Sequence, residues 1–61
     1  MQPPKIREVT KMLEEDGFLK VRQSGSHCRY QKGNRKVTVA GSPNEHLDRV
    51  TWKRIQEQAG W

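Results

Sequence analysis

Apolar residues recur along this chain with two different periods. Ile6, Val9, Met12 and Leu13 stand three or four apart, the spacing of a single helical stripe, and predict a helix over 5–16. Pro3 and Pro4 suit its start, because proline tolerates the first turn. Gly17 follows the last periodic residue as a natural C′ position, and Phe18 then falls at C″, where an apolar side chain commonly folds back onto the last turn. Beyond Gly17 the period drops to two. In 18–24, Leu19 and Val21 share one face and Lys20 and Arg22 the other. Gly25 punctuates. In 26–32, Cys28 and Tyr30 share one face while His27, Arg29 and Gln31 share the other. Gly33-Asn34 reads as a tight turn, and 35–40 as a third strand with Val37 and Val39 inward. Three short strands with two tight links predict an antiparallel meander, buried on one face and wet on the other. Gly41-Ser42-Pro43-Asn44 is a loop. Trp52, Ile55 and Ala59 predict a second helix over 51–59 that stops at Gly60. Thr51 is the expected N-cap, and Asp48 is the rival that would start the helix earlier.

The order is therefore α-β-β-β-α, an α+β fold. Each helix carries an apolar stripe that must be covered. The simplest solution lays both on the apolar face of the sheet, built from Leu19, Val21, Cys28, Tyr30, Val37 and Val39. This is the layout of the double-stranded-RNA-binding fold. The opposite face would then present Lys20, Arg22, His27, Arg29 and Lys36 together.

Composition narrows what such a chain can be. With 61 residues, 31% of them apolar, the expectation is one small domain over 1–61 with no interior for a cofactor. A dinucleotide fold or a barrel enzyme is excluded on length. No apolar run approaches the ~20 residues of a membrane span, and Met1–Lys5 lacks the apolar stretch of a leader. The single cysteine, Cys28, excludes an internal disulfide and a cysteine zinc site. Two histidines without clustered carboxylates argue against any metal site, and a cytoplasmic location is expected. The net charge of +5 is unevenly placed. Residues 17–40 hold Lys20, Arg22, Arg29, Lys32, Arg35 and Lys36 and no acid, whereas the flanks sum to −1. A one-sign segment in a small domain fits a polyanion surface, since Lys and Arg release condensed counterions on meeting phosphates. The plainer alternative is a solvated basic face.

The run Gly17-Phe18…Arg22-Gln23-Ser24-Gly25-Ser26-His27…Tyr30 resembles the signature of HicA toxins, the mRNA interferases of HicA–HicB toxin–antitoxin systems. Val37-Thr38-Val39-Ala40-Gly41, then Thr51-Trp52-Lys53-Arg54-Ile55…Gln58-Ala59-Gly60, is similar to the family's third strand and last helix in the same order. The resemblance covers nearly the whole chain. It implies metal-independent cleavage of single-stranded mRNA without a cofactor, and neutralisation by a HicB-type antitoxin through which alone the protein would meet DNA. The family's active histidine, in Gly-Ser-His, falls on His27. Many members carry a second histidine in a Gly-His-Pro context after the third strand; here that position is Ser42, and His46 lies four residues on.

His27 is the expected catalytic residue, because imidazole changes charge near neutral pH and can take a proton from a 2′-hydroxyl or give one to a leaving 5′-oxygen. Its alternative is a surface histidine that only hydrogen-bonds a phosphate. Gly25 and Ser26 are expected to shape the start of the strand that aims His27, with Ser26 donating to a phosphate or to its neighbours. Arg22, Arg29, Lys20 and Lys36 are candidate phosphate contacts, each balanced against solvated charge, and arginine's planar fork suits a phosphate bidentately. Alternation turns Cys28 away from His27, which argues against a thiol nucleophile and for a small buried residue. His46 reads as a loop residue, and Trp52 and Trp61 as packing.

Overall fold

The computed structural model describes residues 2–61; Met1, the first residue of the segment read above for a leader, lies outside them. Helix α1 spans Ile6–Glu15, strands β1, β2 and β3 span Leu19–Ser24, His27–Lys32 and Arg35–Ala40, and helix α2 spans Arg49–Ala59. The strands form one antiparallel sheet in the order β1-β2-β3. Both helices lie on one face of it, as the two stripes require. Ile6, Val9 and Leu13 from α1, Phe18, Tyr30, Val37 and Val39 from the sheet side, and Ile55 and Ala59 from α2 make one buried cluster with Leu47. Each fully buried apolar side chain contributes about 1.5–3 kcal/mol, so a domain of this size rests on a handful of residues. Burial of Tyr30 also pushes its phenol above the ordinary tyrosine range.

Local chemistry sets the ends of the elements. The Glu8 carboxylate accepts from the Lys5 backbone N–H at 2.8 Å, one half of a capping box. The next free N–H groups of α1 are satisfied from the loop after β3: Ile6 N–H donates to the Glu45 carbonyl at 2.8 Å and Arg7 N–H to that of Pro43 at 3.1 Å. At the other end Gly17 adopts φ +100°, its N–H donates to the Glu14 carbonyl, and Phe18 N–H donates to that of Leu13 at 2.9 Å. This is the Schellman arrangement, with Phe18 and Leu13 both buried as its apolar contact. Helix α2 begins at Arg49, so the cap is Asp48 and not Thr51: the Asp48 carboxylate accepts from Thr51 N–H. That bond holds the Asp48 carboxyl below the usual carboxylate range.

The first strand departs from simple alternation. Lys20 pairs with Tyr30, but Arg22 pairs with Arg29, so two steps on β1 match one on β2. Val21 is the extra residue of a β-bulge. The bulge inverts the faces on its two sides. Arg22 lies on the open face as expected, whereas Lys20, opposite the buried Tyr30, lies on the helix side. Leu19 and Val21, expected inward, are 71% and 53% exposed. Phe18 fills the core place instead, because the Schellman turn delivers it there before the strand begins.

Candidate functional site

The pairing register arranges the open face in cross-strand rows. Ser24, His27 and Ala40 stand side by side, and the next row is Arg22, Arg29 and Thr38. These two rows frame a shallow recess of about 160 Å³, lined by Arg22, Ser24, His27, Arg29 and Thr38 with the edge of Cys28. His27 is exposed at the first position of β2. It is aimed by the two-residue link Gly25-Ser26, in which Gly25 has φ +59° at the first central position. That is the conformation a type II′ hairpin asks of glycine.

Arg22 and Arg29 are direct cross-strand neighbours. Like charges directly opposite each other destabilise a sheet, and among the described residues neither guanidinium has a carboxylate partner. Among the described residues the ion pair formed is Lys32 Nζ to Asp16 Oδ1 at 3.5 Å, at the other end of the sheet. No acidic side chain lines the recess. Two unpaired arginines beside an imidazole and two hydroxyls form a site shaped for a tetrahedral oxyanion with an ionisable group against it.

The remaining candidates separate. Lys36 lies on the same face but opposite Gln31, four strand positions from the His27 row, or about 13 Å at ~3.3 Å per residue. Lys20 is turned by the bulge to the helix side, where its Nζ donates to Gln23 Oε1 at 3.0 Å. Gly25 and Ser26 form the link between β1 and β2 and do not line the recess, and the Ser26 carbonyl accepts from Gly41 N–H at 3.2 Å. Cys28 is half-buried opposite Val39, with its side chain on the face away from His27. His46 is held at the start of α1, Nδ1 2.8 Å from the Pro3 carbonyl, and does not join His27. Ser42 N–H donates to Glu45 Oε1 at 3.2 Å. No three His, Cys, Asp or Glu side chains cluster among the described residues. Ser24 and Thr38 complete the recess without having been singled out from sequence, although period-two alternation already placed both on the open face. Trp61 is a packing residue as expected: its ring meets Trp52 edge-on at 6.1 Å, and its Nε1–H donates to Asp16 Oδ2 at 3.1 Å.

The sequence model of the HicA toxin of bacterial toxin–antitoxin systems matches residues 6–61. Among solved structures, a chain of a "Toxin-Antitoxin complex from Streptococcus pneumoniae" is 30% identical and superposes with a TM-score of 0.78. The match covers 97% of this chain and 100% of that one. No curated protein matches.

Proposed function

The chain belongs to the HicA toxin family of bacterial toxin–antitoxin systems, and on that premise we propose that it is a metal-independent endoribonuclease that cleaves mRNA with His27 as its general acid or base. The observation that carries this reading is the exposed His27 beside two cross-strand arginines that no carboxylate neutralises among the described residues. Cleavage by the neighbouring 2′-hydroxyl forms a new oxygen–phosphorus bond while the bond from phosphorus to the 5′-oxygen breaks. One proton leaves the 2′-oxygen and one arrives at the 5′-oxygen. His27 serves one of these transfers, for ~10²–10⁴-fold in rate. Arg22 and Arg29 hold the phosphate and stabilise the charge that builds on its free oxygens. The other transfer has no second histidine to serve it: Ser42 stands at the family's second histidine position and His46 is engaged at Pro3.

The partner is an antitoxin. The similar pneumococcal chain comes from a toxin–antitoxin complex, and a HicB-type protein that covers the basic face of His27 would block cleavage by exclusion. Ser42 favours a second reading, a degenerate toxin that binds its antitoxin without cutting RNA. Incubation of the purified protein with mRNA, with and without EDTA, separates these. Fragments that persist in EDTA support the enzyme, and loss of fragments in EDTA refutes metal independence. RNA retained uncut supports a binding module, and neither cutting nor retention leaves the antitoxin-binding reading.

A further inference from the structure

Behind the His27 recess, on the helix side of the sheet, a groove of about 590 Å³ runs between α1 and the edge strand β1. Its floor is apolar, from Ile6, Tyr30 and Val39, and its rim carries Arg7 and Lys20 with Gln23. Its lining holds no carboxylate; that of Glu45, beside the lining residues Gly41 and Ser42, accepts from Ser42 N–H at 3.2 Å. Lys20 reaches the groove because of the bulge at Val21: without that extra residue Lys20 would share the face of Arg22. The same bulge spreads the basic stripe around the free edge of the sheet, with Arg22 on one side and Lys20 on the other. Gly25 and Ser26 line the groove and stand in the chain between Ser24 and His27 of the recess, and the space above Gly25 is open, since a Cβ built there meets nothing within 4 Å.

Building on the RNA reading of the His27 face, we propose that this groove is a second nucleotide subsite. The single strand leaves the His27 recess, passes over the Gly25-Ser26 link, and sets its next phosphate between Arg7 and Lys20 with the nucleoside over the apolar floor. Charge complementarity selects the occupant: a cationic rim over an apolar floor suits a nucleotide, which joins an anion to an aromatic ring that can lay its flat face on such a floor. The volume lies within the range of small-molecule sites and exceeds what a bare phosphate needs. Arg7 thereby becomes a substrate contact from a helix that otherwise only packs.

The test is binding to protein carrying His27→Ala, so that RNA stays intact. The probes are a single-stranded RNA decamer, read by fluorescence anisotropy over a salt series, and a dinucleotide with one phosphate, read by chemical-shift titration. Reversing Arg7→Glu and Lys20→Glu together should weaken decamer binding at least ~10-fold. It should flatten the slope of log affinity against log salt by about 0.7, the value for one lost phosphate on a single strand. Dinucleotide binding should stay within a few-fold. Lys53→Glu with Arg54→Glu, both exposed on α2, changes net charge equally and should leave the decamer slope in place. An unchanged decamer affinity, or equal weakening by the α2 pair, overturns the subsite. If the reversed protein fails to fold, Arg7→Gln with Lys20→Gln is held to the same criteria. Failure of the parent to bind either RNA would instead refute the RNA reading of the His27 face, and this proposal with it.

Discussion

Replacing His27 with alanine should abolish RNA cleavage and leave the fold standing. His27 is exposed, its cross-strand neighbours Ser24 and Ala40 are exposed too, and its side chain points away from the cluster that holds the domain together. Its removal opens no cavity, so the stability change should lie within ~0.5 kcal/mol, the usual range for such surface positions. The chemical cost is of another order. Loss of one general acid–base group lowers a rate by at least ~10²-fold, which is about 2.7 kcal/mol of barrier at ~1.36 kcal/mol per decade. RNA affinity should fall far less, because Arg22 and Arg29 continue to hold the phosphate. The assay pairs fragment yield on a gel with thermal melting, on wild type, His27→Ala and His27→Gln. The glutamine variant keeps a hydrogen-bonding group but transfers no proton, so it should be as inactive as alanine. Cleavage by His27→Ala within a few-fold of wild type would refute the assignment. Cleavage by His27→Gln alone would reduce His27 to a phosphate contact. A His27→Ala protein that melted far below wild type would show that the faces of β2 had been read the wrong way round.

Leu13→Ala removes a fully buried side chain from the centre of the core and should cost 2–5 kcal/mol by the usual range for such truncations, enough to unfold much of a domain this small, as chemical denaturation would read. Arg22→Ala and Arg29→Ala together should flatten the salt dependence of single-stranded RNA binding by ~0.7 in slope, whereas Arg49→Ala on α2 should not. The hydrogen bond from Trp61, with Lys32 nearby, holds the Asp16 carboxyl below its ordinary value. A depressed carboxylate stabilises the fold at pH above the ordinary aspartate range, and that contribution is lost as pH falls through the folded value. Melting of Trp61→Phe should therefore depend less on pH between 5 and 3 than wild type, by differential scanning fluorimetry. An equally steep acid limb would show that the Trp61 bond does not set the Asp16 titration.

Much of this molecule was legible from one-dimensional pattern. Both helices, all three strands, the glycine stops and the side of β2 that carries His27 follow from periods of 3.6 and 2 and from turn chemistry, because those signals act between residues a few positions apart. The open face of β2, with His27, Arg29 and Gln31, and the inward Val37 and Val39 of β3 followed from alternation alone. Lys20 and Leu19 did not, and the reason is physical. A bulge is a property of two strands paired, in which one residue of β1 goes unmatched because Phe18 is pinned into the core by the Schellman turn while Tyr30 is pinned by burial. No local pattern in 18–24 records that mismatch. The burial of Leu47 is likewise tertiary: its loop is fixed by carbonyls that accept the first N–H groups of α1, some forty residues earlier in the chain. The link from Trp61 to Asp16 joins residues 45 apart. The sequence alone thus determined which residues face water on the regular strands. Only the packed structure decided where the regularity breaks, because the break settles a conflict between distant anchors, and that break turned Lys20 from the His27 face to the groove beside Arg7.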